Sequence, residues 1–216
     1  MDLNMSLRPS LKVLLCGLAI ACTVLVPTQS SAQTLLVSYN GTSASAATVG
    51  EGLTAGDLSA HGSVSFTAGA NFPGRNLGYD TAGWPTGTTP PTYNLNSLSF
   101  SLTADATHQI ELAQVSMWFK SGGNGPDQIK LQLTVSDNLN PFNNTVAEGV
   151  LALSTGSAYN FVRTNTSGTA LILQPGQTAR FFIVGFDYKA TGSSGMLITD
   201  IEVYGAAVPE PGTCAL

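Results

Sequence analysis

The chain has 216 residues, of which 43% are hydrophobic and only 10% are charged, and its formal net charge is −5. This composition excludes an intrinsically disordered chain, which needs low hydrophobicity and high net charge. The acidic balance, with an isoelectric point of about 4.7 and no basic patch, excludes nucleic acid as a partner. We therefore expect a folded body that binds no nucleic acid.

Residues 1–32 are predicted to be a signal peptide. Arg8 and Lys12 give it a positive start, an apolar segment follows at 13–26, and small residues precede a cleavage site before Gln33. The apolar segment is shorter than the roughly 20 residues that span a bilayer. Signal peptidase is therefore an expected partner, and the mature domain is expected to begin at Gln33.

The three cysteines, Cys16, Cys22 and Cys214, all lie outside the body of the sequence. The body is therefore expected to have neither a disulfide framework nor a thiolate metal site, and to depend on burial for its stability. The segment 19–22, Ala-Ile-Ala-Cys, loosely resembles a bacterial lipobox. Lipidation of Cys22 is therefore left open as an alternative to cleavage before Gln33.

Short apolar or alternating segments, separated by Gly, Pro and Asn, predict β-strands from residue 34 onward. Segment 127–136 alternates apolar and polar positions, whereas segment 179–188 is apolar in both phases, as in a central strand covered on both sides. A phase shift in segment 108–120 predicts a β-bulge near Leu112 and Ala113. The predicted strands are 34–39, 63–67, 95–103, 108–120, 127–136, 146–154, 158–164, 170–173, 179–188 and 196–204.

Nine or ten short antiparallel strands without a convincing amphipathic helix predict an all-β fold, a β-sandwich over residues 33–207. Immunoglobulin-like and jelly-roll arrangements both fit this pattern. The strand count and the long early loop favour a jelly-roll-like sandwich, in which the first and last strands often lie together. Residues 42–58 are expected to be a surface loop with one helical turn near 54–58, and residues 70–91 an irregular connection.

That irregular connection carries aromatic residues, although a connection is expected to be polar. Tyr79 and Trp84, with Asn76 and Asp80 beside them, form the candidate carbohydrate-binding site. Exposed aromatic rings offer flat platforms, and nearby amides and carboxylates fix the orientation of a ligand. Trp118 is a further candidate platform. The alternative is that Trp84 folds back over the end of the sandwich and Trp118 belongs to the core.

The residues Val208, Pro209, Glu210 and Pro211 include two prolines that fix the backbone and remove two donors, so the last strand is expected to end before them. These residues resemble the opening of a PEP-CTERM sorting signal of exported bacterial proteins, in which a Pro-Glu-Pro motif precedes an apolar helix and a basic cluster. The resemblance makes them a sorting motif and implies an exosortase as partner. Residues 208–216 are expected to be the incomplete beginning of such a tail.

The resemblance extends to the body, where segments 52–58 and 199–205 are similar to the β-sandwich regions that precede such tails. It implies a non-catalytic protein of the bacterial envelope or extracellular matrix, which is the leading hypothesis. The alternative is a module that binds extracellular polysaccharide, and a glycan-active enzyme ranks third.

Jelly-roll binding modules that the body resembles often hold a structural calcium ion, which needs six to eight oxygen ligands. The resemblance points to Asp200, with Asp57 or Glu51 from the early loop, as candidate ligands. Asp200 and Glu202 also come nearest to a glycosidase carboxylate pair, since they share one face of a strand about 7 Å apart. Alternation on a solvated face explains the same spacing, and the two histidines lie in no nucleophile or zinc motif. We therefore predict no enzyme activity, no catalytic residue and no cofactor apart from this possible ion.

Overall fold

A computed structural model describes residues 33–75, 77–85, 87, 96–122, 125–135, 158–164, 171–188 and 195–209. Within these ranges the chain forms thirteen β-strands and no helix, which confirms the predicted all-β class. The predicted signal peptide, 1–32, and the predicted strand 146–154 lie outside the described residues. The strands are β1 (Thr34–Tyr39), β2 (Thr48–Val49), β3 (Leu53–Ala55), β4 (Ser59–His61), β5 (Ser65–Asn71), β6 (Leu77–Ala82), β7 (Ser97–Ala104), β8 (His108–Ser121), β9 (Pro126–Val135), β10 (Ala158–Thr164), β11 (Leu171–Leu173), β12 (Thr178–Tyr188) and β13 (Met196–Pro209).

The strands form two antiparallel sheets. The larger sheet has the order β10-β8-β13-β1-β2, with β11 beside β8, β6 beside β13 and β5 beside β6. The smaller sheet has the order β3-β7-β12-β9, with β4 beside β7. From β7 to β13 successive described strands alternate between the two sheets, except that β10 and β11 both pair with β8 in the larger sheet, and β1 pairs with β13. The fold is therefore the predicted jelly-roll-like sandwich, with its first and last described strands side by side.

The core lies between the sheets and draws buried side chains from both of them. Strand β12 is central in the smaller sheet, between β7 and β9. On its inner side Phe181 stacks on Phe100 of β7, with ring centroids 4.7 Å apart and an interplanar angle of 6°. Phe182, Val184 and Phe186 on its other side are also buried. The prediction of a central strand covered on both faces is confirmed.

Strand β8 contains the predicted bulge. Gln114 pairs with Tyr204 of β13, whereas the next pair joins Leu112 to Gly205. Between these two pairs β8 therefore contains one residue more than β13, and the extra residue is Ala113. The bulge explains why the apolar phase of the sequence shifts here.

Two predicted connections contain strands. Residues 42–58 hold β2 and β3 instead of a helical turn, and residues 70–91 hold β6, which forms a hairpin with β5. A Cβ atom at Gly78 of β6 would lie only 2.7 Å from the carbonyl oxygen of Ile198, so this strand requires glycine where it passes β13. Glycine within a strand and prolines around it weaken the sequence signal, which is why β6 escaped prediction.

Strand β13 extends beyond the predicted end at residue 204. Val208 pairs with Gln109 and Pro209 with His108, so the first two residues of the predicted sorting motif belong to the sandwich. A proline is tolerated here because it occupies the last position of the strand, where no further ladder bond is needed. The domain therefore includes residues 208 and 209, while Glu210 lies outside the described residues, as does Pro211.

Among the described residues, no helix has both the length and the apolar character needed to span a bilayer.

Candidate functional site

The two aromatic residues of the predicted sugar platform lie in the core. Tyr79 on β6 is 0% exposed, and its hydroxyl donates a hydrogen bond of 2.7 Å to the carbonyl oxygen of Ser43. Trp84 is 4% exposed, and its Nε1 donates to Thr81 Oγ1 at 2.9 Å. Neither ring offers solvent a face on which a sugar can stack. The exposed platform expected from the sequence is therefore corrected, and the alternative that Trp84 folds back describes the structure.

Trp84 is buried because the sandwich leaves room for it beside β12. A Cβ atom at Gly185 would lie 3.0 Å from Trp84 Cδ2 and 2.8 Å from Pro126 Cγ, so the ring packs directly against bare backbone. Asp80 lies on the exposed side of β6. Asn76 falls outside the described residues.

A different aromatic residue lies on the outer side of the larger sheet, away from the core. On β8, Val115, Met117 and Phe119 are buried members of the core cluster. Side chains alternate along a strand, so Trp118 points to the opposite side, where it is half-buried. Trp118 is therefore not the core residue that the alternative expectation allowed.

Trp118 carries an arginine on its ring and an aspartate beside that arginine. The guanidinium carbon of Arg75 lies 3.5 Å from the centroid of the Trp118 ring. Arg75 Nη1 donates to Asp200 Oδ2 at 2.8 Å, and the two side chains are 33% and 18% exposed. An exposed cation–π contact is worth about 0.5–1 kcal/mol, and a surface ion pair about 0–1 kcal/mol. These three residues, the Trp118 group, are thus held together by contacts that cost little free energy to break.

Local backbone features bring Arg75 and Asp200 to this place. Arg75 ends the turn after β5, where its N–H donates to the carbonyl of Phe72 at 3.0 Å, and the buried Phe72 ring anchors that turn. Asp200 has a positive φ of 48°. It lies where β13 changes neighbours, because β13 pairs with β6 up to Ile198 and with β1 from Ile201.

Two polar side chains continue the outer face along β13. Ile201 and Val203 are buried in the core, so Glu202 and Tyr204 alternate to the outer side, where both are half-buried. The hydroxyl of Tyr204 donates to Glu202 Oε2 at 2.7 Å. This hydrogen bond, followed by burial and the charge of Glu202, raises the pKa of Tyr204 to about 12. The tyrosine therefore remains a protonated donor to Glu202 at neutral pH.

The predicted carboxylate pair is interrupted by a bulge. Thr199 pairs with Trp118 and Glu202 pairs with Ser116. Between these two pairs β13 therefore contains one residue more than β8, next to Asp200. The regular spacing expected from alternation does not apply across this irregularity. Each carboxylate is also bound to a separate partner within the protein, as described above. This arrangement differs from the two carboxylates facing one cleft that glycoside hydrolysis needs.

The three predicted calcium ligands are not gathered into one group in the described part of the chain. Asp200 is paired with Arg75, and Glu51 is exposed at the turn after β2. Asp57 follows β3 and lies near Tyr39. Burial is the main cause that raises the pKa of Tyr39, and the negative charge of Asp57 makes a smaller contribution. Among the described residues, no three His, Cys, Asp or Glu side chains form a group that could hold a metal ion.

The two histidines make contacts within the protein. His61 Nε2 lies 2.6 Å from Ser99 Oγ. His108 Nδ1 lies 2.9 Å from both carboxylate oxygens of Asp105 at the start of β8. The pKa of Asp105 is lowered to about 2, first by the backbone N–H of Thr107 and next by His108. The His61 contact joins β4 to β7, where Ser99 is buried, and the His108 contact closes the turn before β8.

The protein is a jelly-roll-like β-sandwich of a kind also found in a carbohydrate-binding domain. No family model matches the chain, and no curated protein matches it in sequence. A xylan-binding domain from Paenibacillus barcinonensis is similar in structure, with 12% identity and a TM-score of 0.50 over 81% of this chain and 96% of that chain. At this identity the likeness shows the fold alone.

Two further solved structures match more loosely. A cleaved adhesin domain of Lys-gingipain from Porphyromonas gingivalis has 12% identity and a TM-score of 0.38 over 79% of this chain and 97% of that chain. The carbohydrate-binding and catalytic modules of a Clostridium thermocellum xylanase, complexed with xylohexaose, have 10% identity and a TM-score of 0.37 over 81% of this chain and 29% of that chain.

Sequence reasoning named Trp118 only as a second platform and did not find Arg75 or Tyr204. The alternation of Glu202 and Tyr204 with buried residues on β13 was a signal that could have placed both on the outer face. The approach of Arg75 had no such signal, because it depends on the hairpin of β5 and β6 folding toward β13.

Proposed function

We propose that this chain is a non-catalytic, exported bacterial protein whose β-sandwich binds polysaccharide through the outer face of its larger sheet. The observation that carries the proposal is the Trp118 group: a half-buried indole ring with a guanidinium and a carboxylate beside it. We therefore prefer the hypothesis of a polysaccharide-binding module to that of a matrix protein without a defined ligand.

The chemistry of the Trp118 group suits a neutral sugar. An indole ring presents a flat apolar face to the C–H groups of a sugar, and stacking on it adds binding energy beyond area burial. Arg75 supplies several N–H donors and Asp200 supplies carboxylate acceptors, which match the donor and acceptor pattern of hydroxyl groups. The two charges cancel, so the group does not require a charged ligand.

Arg75 covers the ring in the protein without ligand. A sugar that stacks on Trp118 must take the place of the guanidinium, which then remains near enough to donate to Asp200 and to sugar hydroxyls. Replacing the guanidinium by a sugar costs little free energy, because the contact that is lost is an exposed cation–π pair. The fold supports the same proposal, since the structural neighbour with a TM-score of 0.50 is a xylan-binding domain.

Export and sorting form the second half of the proposal. Residues 1–32 would be removed by signal peptidase, and the motif Val208 to Pro211 would be recognised by an exosortase. The protein would then act in the cell envelope or the extracellular matrix. Detection of the protein with an N-terminus at Gln33 in the envelope or medium would support this half, whereas an uncleaved cytosolic protein would contradict it.

The binding half is tested by affinity electrophoresis and calorimetry on a panel of neutral polysaccharides that includes xylan. Trp118→Ala is expected to weaken binding at least tenfold, which corresponds to about 1.4 kcal/mol. Ile172→Ala is the control, because Ile172 is an apolar side chain of the same sheet, 43% exposed on β11, outside the Trp118 group. Absence of binding to every polysaccharide, or equal binding by Trp118→Ala, would contradict the proposal.

A further inference from the structure

The outer side of the larger sheet presents a second aromatic side chain on the strand beside Trp118. Trp118 lies on β8 opposite Thr199, and Tyr204 lies on β13 opposite Gln114. The two aromatic residues are therefore four residues apart along the strand direction and one strand apart across the sheet. At 3.4 Å per residue and a strand spacing of 4.8 Å, this places their backbones roughly 14 Å apart.

The pair Ser116 and Glu202 lies halfway between the two aromatic residues. It shares the outer side with them, because Val115, Met117, Ile201 and Val203 point into the core. The outer row therefore reads, in order, Trp118 with its arginine and aspartate, then Glu202, then Tyr204. An aromatic ring, a carboxylate and a second aromatic ring follow one another along a single direction of the sheet.

Tyr204 is held in place on this face. Its hydroxyl donates to the carboxylate of Glu202, two residues earlier on the same strand, at 2.7 Å. Because its hydroxyl is bound to the residue two positions before it, Tyr204 is restrained on the outer row by this contact. A ring fixed in this way costs little further side-chain entropy when a ligand packs on it.

We infer, on the basis of the proposed function, that the site takes an extended, neutral polysaccharide chain that spans two subsites, one at Trp118 and one at Tyr204. The backbones of the two residues lie roughly 14 Å apart, a span longer than one sugar residue and within reach of a short oligosaccharide. Glu202, between the rings, accepts hydrogen bonds from hydroxyl groups of the intervening sugar.

The charges along the row select against an acidic chain. Arg75 is already paired with Asp200, and Glu202 bears a negative charge at the middle of the row. A uronate or sulfate group would lie near that carboxylate, and like charges at close range repel. The net charge of −5 acts in the same direction at longer range.

The inference is tested by calorimetry with xylo-, cello- and manno-oligosaccharides of two to six units, and with oligogalacturonates of the same lengths. Wild-type affinity is expected to rise about tenfold or more between the disaccharide and the hexasaccharide of the preferred neutral series. Tyr204→Ala is expected to remove this gain and leave the disaccharide affinity unchanged. Trp118→Ala is expected to weaken binding at every length.

Tyr204→Phe separates the ring from its hydrogen bond, since it keeps the platform and loses the contact with Glu202. It is expected to retain most of the gain with length, and its thermal midpoint checks that the variant is folded. An equal effect of Tyr204→Ala on short and long chains, or tighter binding of oligogalacturonates, would overturn the two-subsite inference while polysaccharide binding itself stands. If the wild-type protein binds neither polysaccharides nor any neutral oligosaccharide, the proposed function fails as well.

Discussion

Arg75, in the turn between β5 and β6, covers the ring of Trp118 on β8: the guanidinium carbon lies 3.5 Å from the centroid of the indole ring. Asp200 holds the cation in this position through a hydrogen bond of 2.8 Å. The bulge at Asp200 and the turn before β6 are both needed for this contact. The pair therefore connects the backbone irregularities of the larger sheet to its proposed binding surface.

Arg75→Ala is expected to uncover the indole of Trp118. The chain has two tryptophans, and the other, Trp84, is 4% exposed, so a change in quenching by acrylamide reports on Trp118. We expect stronger quenching and emission at longer wavelength in Arg75→Ala. Arg180→Ala, at an exposed arginine of β12, is expected to leave both unchanged. Unaltered quenching in Arg75→Ala would mean that the cation does not cover the ring in solution.

The two tryptophans are expected to differ strongly in their effect on stability. Trp84→Ala should lower the free energy of unfolding by about 3–5 kcal/mol, because it empties a packed site against β12. Trp118→Ala should lower it by about 1 kcal/mol or less, since an outer ring loses mainly its contact with Arg75. Urea denaturation of both variants measures the difference. Equal losses would contradict the burial described for Trp84.

The backbone at Asp200 is expected to discriminate among side chains. Its φ of 48° is a left-handed conformation, which asparagine tolerates and a β-branched residue does not. Asp200→Val should therefore destabilise the protein by about 1–2 kcal/mol more than Asp200→Asn. Asp80→Val, at an exposed position of β6, is the control and should have little effect on unfolding. Similar stability of Asp200→Val and Asp200→Asn would argue against a left-handed backbone at residue 200.

Acid should weaken the fold partly through Asp105, whose pKa is lowered to about 2 from 3.8. A carboxyl group with a lower pKa in the folded state stabilises the protein above pH 4, and this stabilisation is lost as the pH falls from about 4 to 2. Asp105→Asn should flatten the pH dependence of the thermal midpoint in that window. Thr107→Ala keeps the backbone N–H, the largest cause of the lowered pKa, and should retain most of the dependence. Identical profiles for wild type and Asp105→Asn would refute the assignment.

Most of the architecture could be predicted from the sequence. Alternation identified β9, two-phase hydrophobicity identified the central β12, and the phase shift in β8 located the bulge at Ala113. These features succeed because each depends on which side of one strand faces the core, a property that local periodicity records.

The candidate site depended on contacts that periodicity does not record. The sequence predicted Tyr79 in a loop because Gly78 and the surrounding prolines hide β6. Trp84 does follow that strand, but its ring folds back into the core, so both rings are buried where the sequence indicated exposed ones. Trp118 alternates with core residues and was within reach of sequence reasoning. Its partner Arg75 was not, because the contact requires knowing that β6 pairs with the first half of β13 and β1 with the second half.

Strand β13 has consequences for the order of assembly. It is the shared neighbour of β8, β1 and β6, so none of these strands has its full set of partners until residues 196–209 have been synthesised. Pairing of β1 with β13 joins segments from opposite ends of the domain, and contacts of such high sequence separation form late and slowly. The larger sheet is therefore completed only when the whole domain is available. Under the proposed export, this delay would keep the chain unfolded for its passage through a translocation channel.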